Sequence, residues 1–203
     1  MKGTLIIVSA PSGAGKTSLL KALVAADPLL KISVSHTTRP MRSGEENGKD
    51  YYFIDQDAFV HMIGEGAFLE HAQVFDNYYG TAEIAVIEHL NQGHDVVLEI
   101  DWQGACQVRK RMPEAVSIFI LPPNPQALHD RLSTRGQDTE EVIARRMGDA
   151  KSEMAHYPEY DYLVVNDDFK LALNDLHAIV TSLRLRHTVQ SDRLQSRLNA
   201  LLA

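Results

Sequence analysis

Cysteine is almost missing from this chain, which has one residue, Cys106, in 203. A lone thiol closes no intrachain disulfide, so the fold must rest on its core, and such usage fits a reducing compartment. No apolar run approaches the roughly 18 residues of a membrane-spanning helix. The N-terminus passes from Lys2 into a short strand-like run without a signal-peptide pattern, so the expectation is a cytoplasmic protein with no membrane contact. Linker-length tracts of Pro, Gly or Ser are missing, as are internal repeats. Positive charge is scarce: 20 Lys and Arg face 27 Asp and Glu, for a net charge of −7. Nucleic-acid binding takes its affinity from many Lys and Arg on the phosphate backbone, so no nucleic-acid partner is expected. Phosphate bound here must meet a local cluster of cations. The histidines offer no metal-ligand pair at helical spacing with an acidic partner.

What is present is a large apolar share, 44% of the residues, enough for one compact unit with lobes. "TLIIV" reads as a buried strand, and "KTSLLKALVAA" carries Leu19, Leu20, Leu23 and Val24 at helical spacing before an Asp27-Pro28 stop. "KISVSHTT" is a second strand candidate; "DVVLEI", "SIFIL" and "DYLVV" are three more, each followed by helix-like text. This alternation predicts an α/β fold, a parallel sheet with helices on both faces. Between Arg39 and Gly93 the text turns to "DYYFI" and "AFLEHAQVFDNYYG", a small mixed lobe inserted between core strands. Two amphipathic stretches around "STRGQDTEE", from Asn124 to about Tyr157, read as a mobile lid. From Phe169 onward, Leu173, Leu176, Val180 and Leu183 predict one long helix.

Between the first strand and helix lies "APSGAGKT", Ala10 to Thr17, a Walker A pattern whose first glycine is Ala10. The candidate triphosphate loop is thus Ala10, Pro11, Ser12, Gly13, Ala14, Gly15, Lys16, Thr17 and Ser18. Gly13 and Gly15 let backbone N–H groups turn inward around an anion, Lys16 reaches the terminal phosphates, and Thr17 offers a hydroxyl to Mg²⁺. A P-loop GTPase needs an "NKxD"-type base selector, which is missing here, and a DNA-dependent ATPase usually carries more positive charge. A small-molecule kinase remains. In "SVSHTTRPMRSGE", Arg39 and Arg42 lie beside Ser35, Thr37 and Thr38, and guanidinium forks next to hydroxyls suit a second anion site.

"APSGAGKT", "SVSHTTRPMRSGEENGKDYYF", "FLEHAQVFDNYYGT", "EIDWQGA", "RLSTRGQDTEEVIARRM" and "YLVVNDD" together resemble the guanylate kinases of bacterial type, in order, from about residue 3 to about 185. The resemblance implies a P-loop three-layer α/β/α core (1–34, 96–123 and 158–203), an inserted GMP-binding lobe (35–95) and a helical lid (124–157). It implies γ-phosphoryl transfer from ATP to GMP or dGMP with Mg²⁺. Arg39, Arg42, Tyr51 and Tyr79 would hold the GMP phosphate, while Ser35, Glu70 and Thr81 would read guanine, with Asp101 near Mg²⁺ or the guanine end. Lys16, Arg39, Arg135 and Arg146 would act on the phosphates. Glu99 stands where the family usually has aspartate.

Guanine offers a ring N–H and an amino group side by side, and one carboxylate accepts from both, so Glu70 suits that task and adenine would leave it unpaired. The acceptor phosphate of GMP has a second pKa of about 6 and needs no general base. "NDD", Asn166 to Asp168, reads as a helix N-cap, with an edge of the adenine site implied by the resemblance. Two rivals differ in class: an interaction module using the same lobe for a phosphopeptide, and a kinase for another phosphate ester. The intact Lys16, Thr17 and Arg39 argue against the first, the guanine reader against the second. Leu194, Leu198 and Leu201 in the tail suit packing on the chain itself or in a homo-oligomer.

Overall fold

The computed structural model describes residues 2–74, 76–133 and 140–203. The chain runs β1 (Leu5–Ser9), α1 (Lys16–Ala26), β2 (Leu30–Ile32), β3 (His36–Thr37), β4 (Tyr52–Phe53), α2 (Gln56–Gly64), β5 (Phe68–Val74), β6 (Asn77–Ala82) and α3 (Glu83–Asn91). It continues through β7 (Asp95–Glu99), α4 (Trp102–Arg111), β8 (Val116–Leu121), α5 (Pro125–Ser133), α6 (Glu140–Met154), β9 (Tyr162–Val165), α7 (Phe169–Arg184) and α8 (His187–Leu202).

Five strands form a parallel sheet in the order β2-β7-β1-β8-β9. Its central strand β1 is buried at every position, as a strand flanked and covered on both faces requires. Alternate β1 side chains face opposite ways. Ile6 and Val8 join Leu19, Leu20 and Leu23 of α1 and Leu176 and Val180 of α7; Ile7 joins Val86 and Leu90 of α3 and Val108 of α4. Helices therefore cover both faces, and the α/β reading of the sequence holds. A second sheet, β4-β3-β6-β5, is built around the antiparallel β5–β6 hairpin. Its apolar side is filled by Phe59 of α2, stacked on Phe68 at 4.6 Å and on Tyr78 at 5.5 Å.

Two stretches differ from the sequence expectation. "KISVSHTT" is divided between the sheets: Leu30–Ile32 pairs with β7, whereas His36–Thr37 pairs with β4 and β6. The Ser33 N–H still donates to the Val97 carbonyl, and the Ser35 carbonyl already accepts from the Tyr52 N–H. One extended stretch thus serves two partners, which alternation alone does not reveal. The C-terminal pattern is two helices. The buried stripe of α7 (Ala172, Leu176, Val180, Leu183) ends where the Arg184 guanidinium is drawn to Asp27 and Asp95, each at 2.6 Å. Arg186 is non-helical, and α8 restarts after it, largely exposed.

Candidate functional site

The loop between β1 and α1 is forced open by two residues that an L side chain would not suit. Gly13 and Gly15 sit at φ of 90° and 89°, in the left-handed region that favours glycine. A Cβ on Gly15 would also lie 2.4 Å from Asn166 Nδ2. Gly15 is the N-cap of α1 without any side-chain cap, so the first N–H groups of the helix and its positive dipole end are left to an anion. The loop is pinned from behind. Ala14 is fully buried; its N–H donates to the Pro11 carbonyl, and its own carbonyl accepts from Asn166 Nδ2 at 2.7 Å. Ala10 packs its methyl against the core.

A cavity of about 340 Å³ opens above this loop. Ala10 to Gly13 and Gly15 to Ser18 line it, as do Ser35, Tyr51, Glu70, Tyr79, Asp101 and Arg146. Of the other residues picked from sequence, Ala14 lies beneath the loop, and Thr81 is buried behind Glu70. Arg39 and Arg42 do not reach the cavity wall, and Arg135 lies outside the described residues.

At the end away from the loop, Glu70 is only 3% exposed. Thr81 Oγ1 donates to Glu70 Oε1 at 2.6 Å, with Ser35 Oγ 3.4 Å from the Thr81 hydroxyl. Burial is the main force pushing the Glu70 carboxyl up to about 7, with Asp101 adding to it; the Thr81 bonds oppose it. Its second oxygen rests against the α4 backbone, where a Cβ on Gly104 would come within 2.5 Å. Asp101 is the N-cap of α4 and accepts from the Gly104 N–H at 2.8 Å. Its position is therefore fixed by the helix it starts.

Arg39 is held beside the cavity. It donates to Glu45 Oε1 and to the Pro40 carbonyl, each at 2.7 Å, and lies 5.5 Å from the Tyr51 ring centroid. Glu45 raises the Arg39 pKa, so its charge is permanent. Burial pushes the Tyr51 hydroxyl up to about 12, which keeps it a hydrogen-bond donor. Arg42 is exposed, and its N–H donates to Glu45 Oε2. Glu45 was not singled out in the sequence, although it lies six residues beyond Arg39.

Where β7 ends, Glu99 accepts from Thr17 Oγ1 at 2.5 Å and lies 3.8 Å from Lys16 Nζ. From α6, Arg146 Nη2 donates to Ser12 Oγ at 2.7 Å, and Glu153 Oε2 accepts from the Ser12 N–H at 3.3 Å. Arg145, its neighbour in sequence, points to the exposed side. Asp168 is the N-cap of α7, bonding the Lys170 and Leu171 N–H groups. The N-cap reading of "NDD" is thus right for Asp168, whereas Asn166 serves the P-loop. Just past α6, His156 stacks on Trp102 with ring centroids 3.8 Å apart. Glu153 carries no motif signal, and Asn166 and Gly104, although inside "YLVVNDD" and "EIDWQGA", give no sign there of the distant partners through which they matter.

A glycine-turned phosphate loop on a parallel sheet, open to a cavity whose other end is a buried carboxylate, defines a P-loop α/β nucleotide-binding protein. The sequence model of the family described as "Guanylate kinase" matches residues 2–183. The guanylate kinase of Methylococcus capsulatus is 63% identical, with 95% of each chain covered, and that of Vibrio cholerae is 56% identical over 100% of this chain and 99% of that one. The crystal structure of guanylate kinase from Anaplasma phagocytophilum superposes with a TM-score of 0.78 at 32% identity, covering 97% of this chain and 96% of that one. The chain belongs to the guanylate kinase family.

Proposed function

We propose that this chain transfers the γ-phosphoryl group of ATP to GMP or dGMP, giving ADP and GDP. The observation that carries the reading is the Glu70 carboxylate, buried with Thr81 and Ser35 in the same cavity as the P-loop. Glu70 accepts from the guanine N–H and amino group, a match that adenine lacks. Arg39, Arg42, Tyr51 and Tyr79 neutralise and orient the GMP phosphate. Loop N–H groups and Lys16 hold the ATP phosphates, joined by Arg146 from α6 and by Arg135. The acceptor oxygen is already ionised, so catalysis consists of positioning and charge neutralisation rather than proton abstraction. Water kept out by the helical segment would otherwise take the phosphoryl group.

The donor set fits Mg²⁺. The Thr17 hydroxyl and the Glu99 carboxylate are hard oxygen donors at the P-loop, and no group of three or more His, Cys, Asp or Glu that could cage a metal occurs among the described residues. That suits an ion that keeps most of its shell for water and substrate phosphate. Bound there, Mg²⁺ would supply charge neutralisation at the triphosphate, with Thr17 and Glu99 as its protein contacts.

The working parts are a core (1–34, 96–123, 158–203), a GMP-binding lobe (35–95) and a lid (124–157). The reaction belongs in the cytoplasm; no helix of the described residues is long and apolar enough to cross a membrane. Leu198 and Leu201 of α8 are exposed and support self-association; truncation before Ser191 should lower the sedimenting mass, and unchanged assembly would refute it. The deciding assay is ADP formation from MgATP with GMP, AMP, UMP or no acceptor. Turnover with GMP alone is expected; binding of GMP without turnover would favour a phosphopeptide-type interaction module.

A further inference from the structure

The cavity presents a paradox of charge. A site for two phosphorylated ligands is lined, among the described residues, by the carboxylates of Glu70, Glu99, Asp101, Asp149 and Glu153 and by the cations Lys16 and Arg146 alone. Three of these carboxylates have evident tasks: Glu70 is the base reader, Glu99 holds Thr17, and Asp101 caps α4. Glu153 has none in the reaction as derived, yet a negative charge near incoming phosphates opposes their binding. Its presence at the cavity calls for a positional reason.

The geometry supplies one. Arg146 and Glu153 are seven residues apart on α6, two helical turns, and so share a face. Both grip one P-loop residue: Arg146 Nη2 bonds the Ser12 hydroxyl at 2.7 Å, and Glu153 Oε2 accepts from the Ser12 main-chain N–H at 3.3 Å. A single bond from a helix to a loop leaves rotation about the contact free. Two bonds separated along the helix fix both its height and its rotation.

We propose that Glu153 is a positioning residue for phosphoryl transfer, which seats α6 on the Ser12 amide and thereby aims Arg146 into the cavity. The contact lies at the end of α6 near its connection to the core, where a small error in seat is carried along the helix to the guanidinium. Burial is the main force raising the Glu153 pKa, opposed by the Ser12 N–H and by Lys16; what the seat uses is one acceptor oxygen on the Ser12 N–H. Glutamine keeps that acceptor oxygen and discards the charge; alanine discards both.

This inference rests on the kinase reading, and the test separates the two. Turnover with MgATP and GMP is measured for the native chain, Glu153→Gln, Glu153→Ala, Arg146→Ala and the double alanine variant. Misplacing a catalytic cation by a fraction of a helix turn should cost about tenfold in kcat for Glu153→Ala, and removing the cation about 100-fold for Arg146→Ala. Because Glu153 acts through Arg146, the double variant should be within about twofold of Arg146→Ala. Glu153→Gln should stay within about threefold of native kcat. The KM for GMP, set at the Glu70 end, should hold steady throughout.

A double variant about tenfold slower than Arg146→Ala would overturn the proposal. So would native kcat in Glu153→Ala, or a glutamine variant as slow as the alanine one. If Glu153→Ala does not unfold cooperatively, Glu153→Asp takes its place in the cycle, its arm too short for the Ser12 N–H. No transfer to GMP by the native chain would refute the kinase reading itself; additive losses in an active enzyme would refute only the seat.

Discussion

At the P-loop end of the cavity the groups offered to a ligand are main-chain N–H groups, shaped by Gly13 and Gly15 and braced from behind by Asn166. At the other end they are side chains brought in from separate segments: Ser35 before β3, Glu70 on β5, Thr81 on β6, with Gly104 of α4 at their back. Backbone donors do not titrate and suit any phosphate. A buried carboxylate discriminates among bases, but its task depends on its ionisation. On the function proposed above, the molecule grips phosphate with parts that any nucleotide satisfies and spends its selectivity at one point.

The strongest challenge to this division is Lys16→Ala, which should cut kcat about 1000-fold or more while circular dichroism stays native; ordinary turnover would remove Lys16 from the chemistry. Glu70→Gln acts at the opposite end. It should lower kcat/KM for GMP about 100-fold and leave the KM for ATP within about twofold, so a matching loss for ATP would show that the ends are not separate.

The same residue sets a pH signature. The Glu70 carboxyl is raised to about 7, and in the proposed reading its ionised form accepts from guanine. GMP affinity should therefore climb about tenfold between pH 6 and pH 8 from this group, with a proton released on binding. Glu70→Gln should keep only the part that belongs to the ligand's phosphate, as buffer-dependent calorimetry can read. The sign for stability is the reverse. A raised carboxyl favours the fold below its unfolded value of 4.5, and that contribution fades as pH rises through about 7.

Gly104→Ala tests the support of the reader, since its Cβ would press to within 2.5 Å of Glu70 Oε2. The KM for GMP should rise about tenfold with ATP unaffected; an unchanged value would mean that Glu70 gives way freely. The smallest effect belongs to Asn166→Ala. Loss of its bond to the Ala14 carbonyl should cost about 1–2 kcal/mol of stability, seen as a lower Tm, and raise the KM for ATP about threefold.

The two ends also differed in how openly the sequence announced them. The P-loop is contiguous, because its job is done by backbone between one strand and one helix, and "APSGAGKT" names it at once. The parallel sheet was legible for the same reason: unbroken apolar runs bury themselves from both sides. Glu70, Thr81 and Ser35 were reached through a resemblance, since a carboxylate in "FLEHAQ" declares nothing about Thr81 until β5 and β6 pair. The braces were the least legible. Asn166 lies 152 positions from Ala14 and Glu153 lies 141 from Ser12; such pairs have no local pattern. The break between α7 and α8 was hidden because leucines recur on both sides of it, Leu183 before and Leu194 after, while the interruption lies in the non-helical backbone of Arg186, which no breaker residue marks.

The stack of Trp102 on His156 gives the chain a built-in optical label. Its one tryptophan stands at the first turn of α4, beside the reader's support, and its partner ring belongs to the segment that carries α6. Emission from the unmodified protein therefore reports on a single junction, and the opening of that junction can be timed in a stopped-flow instrument without attaching a dye.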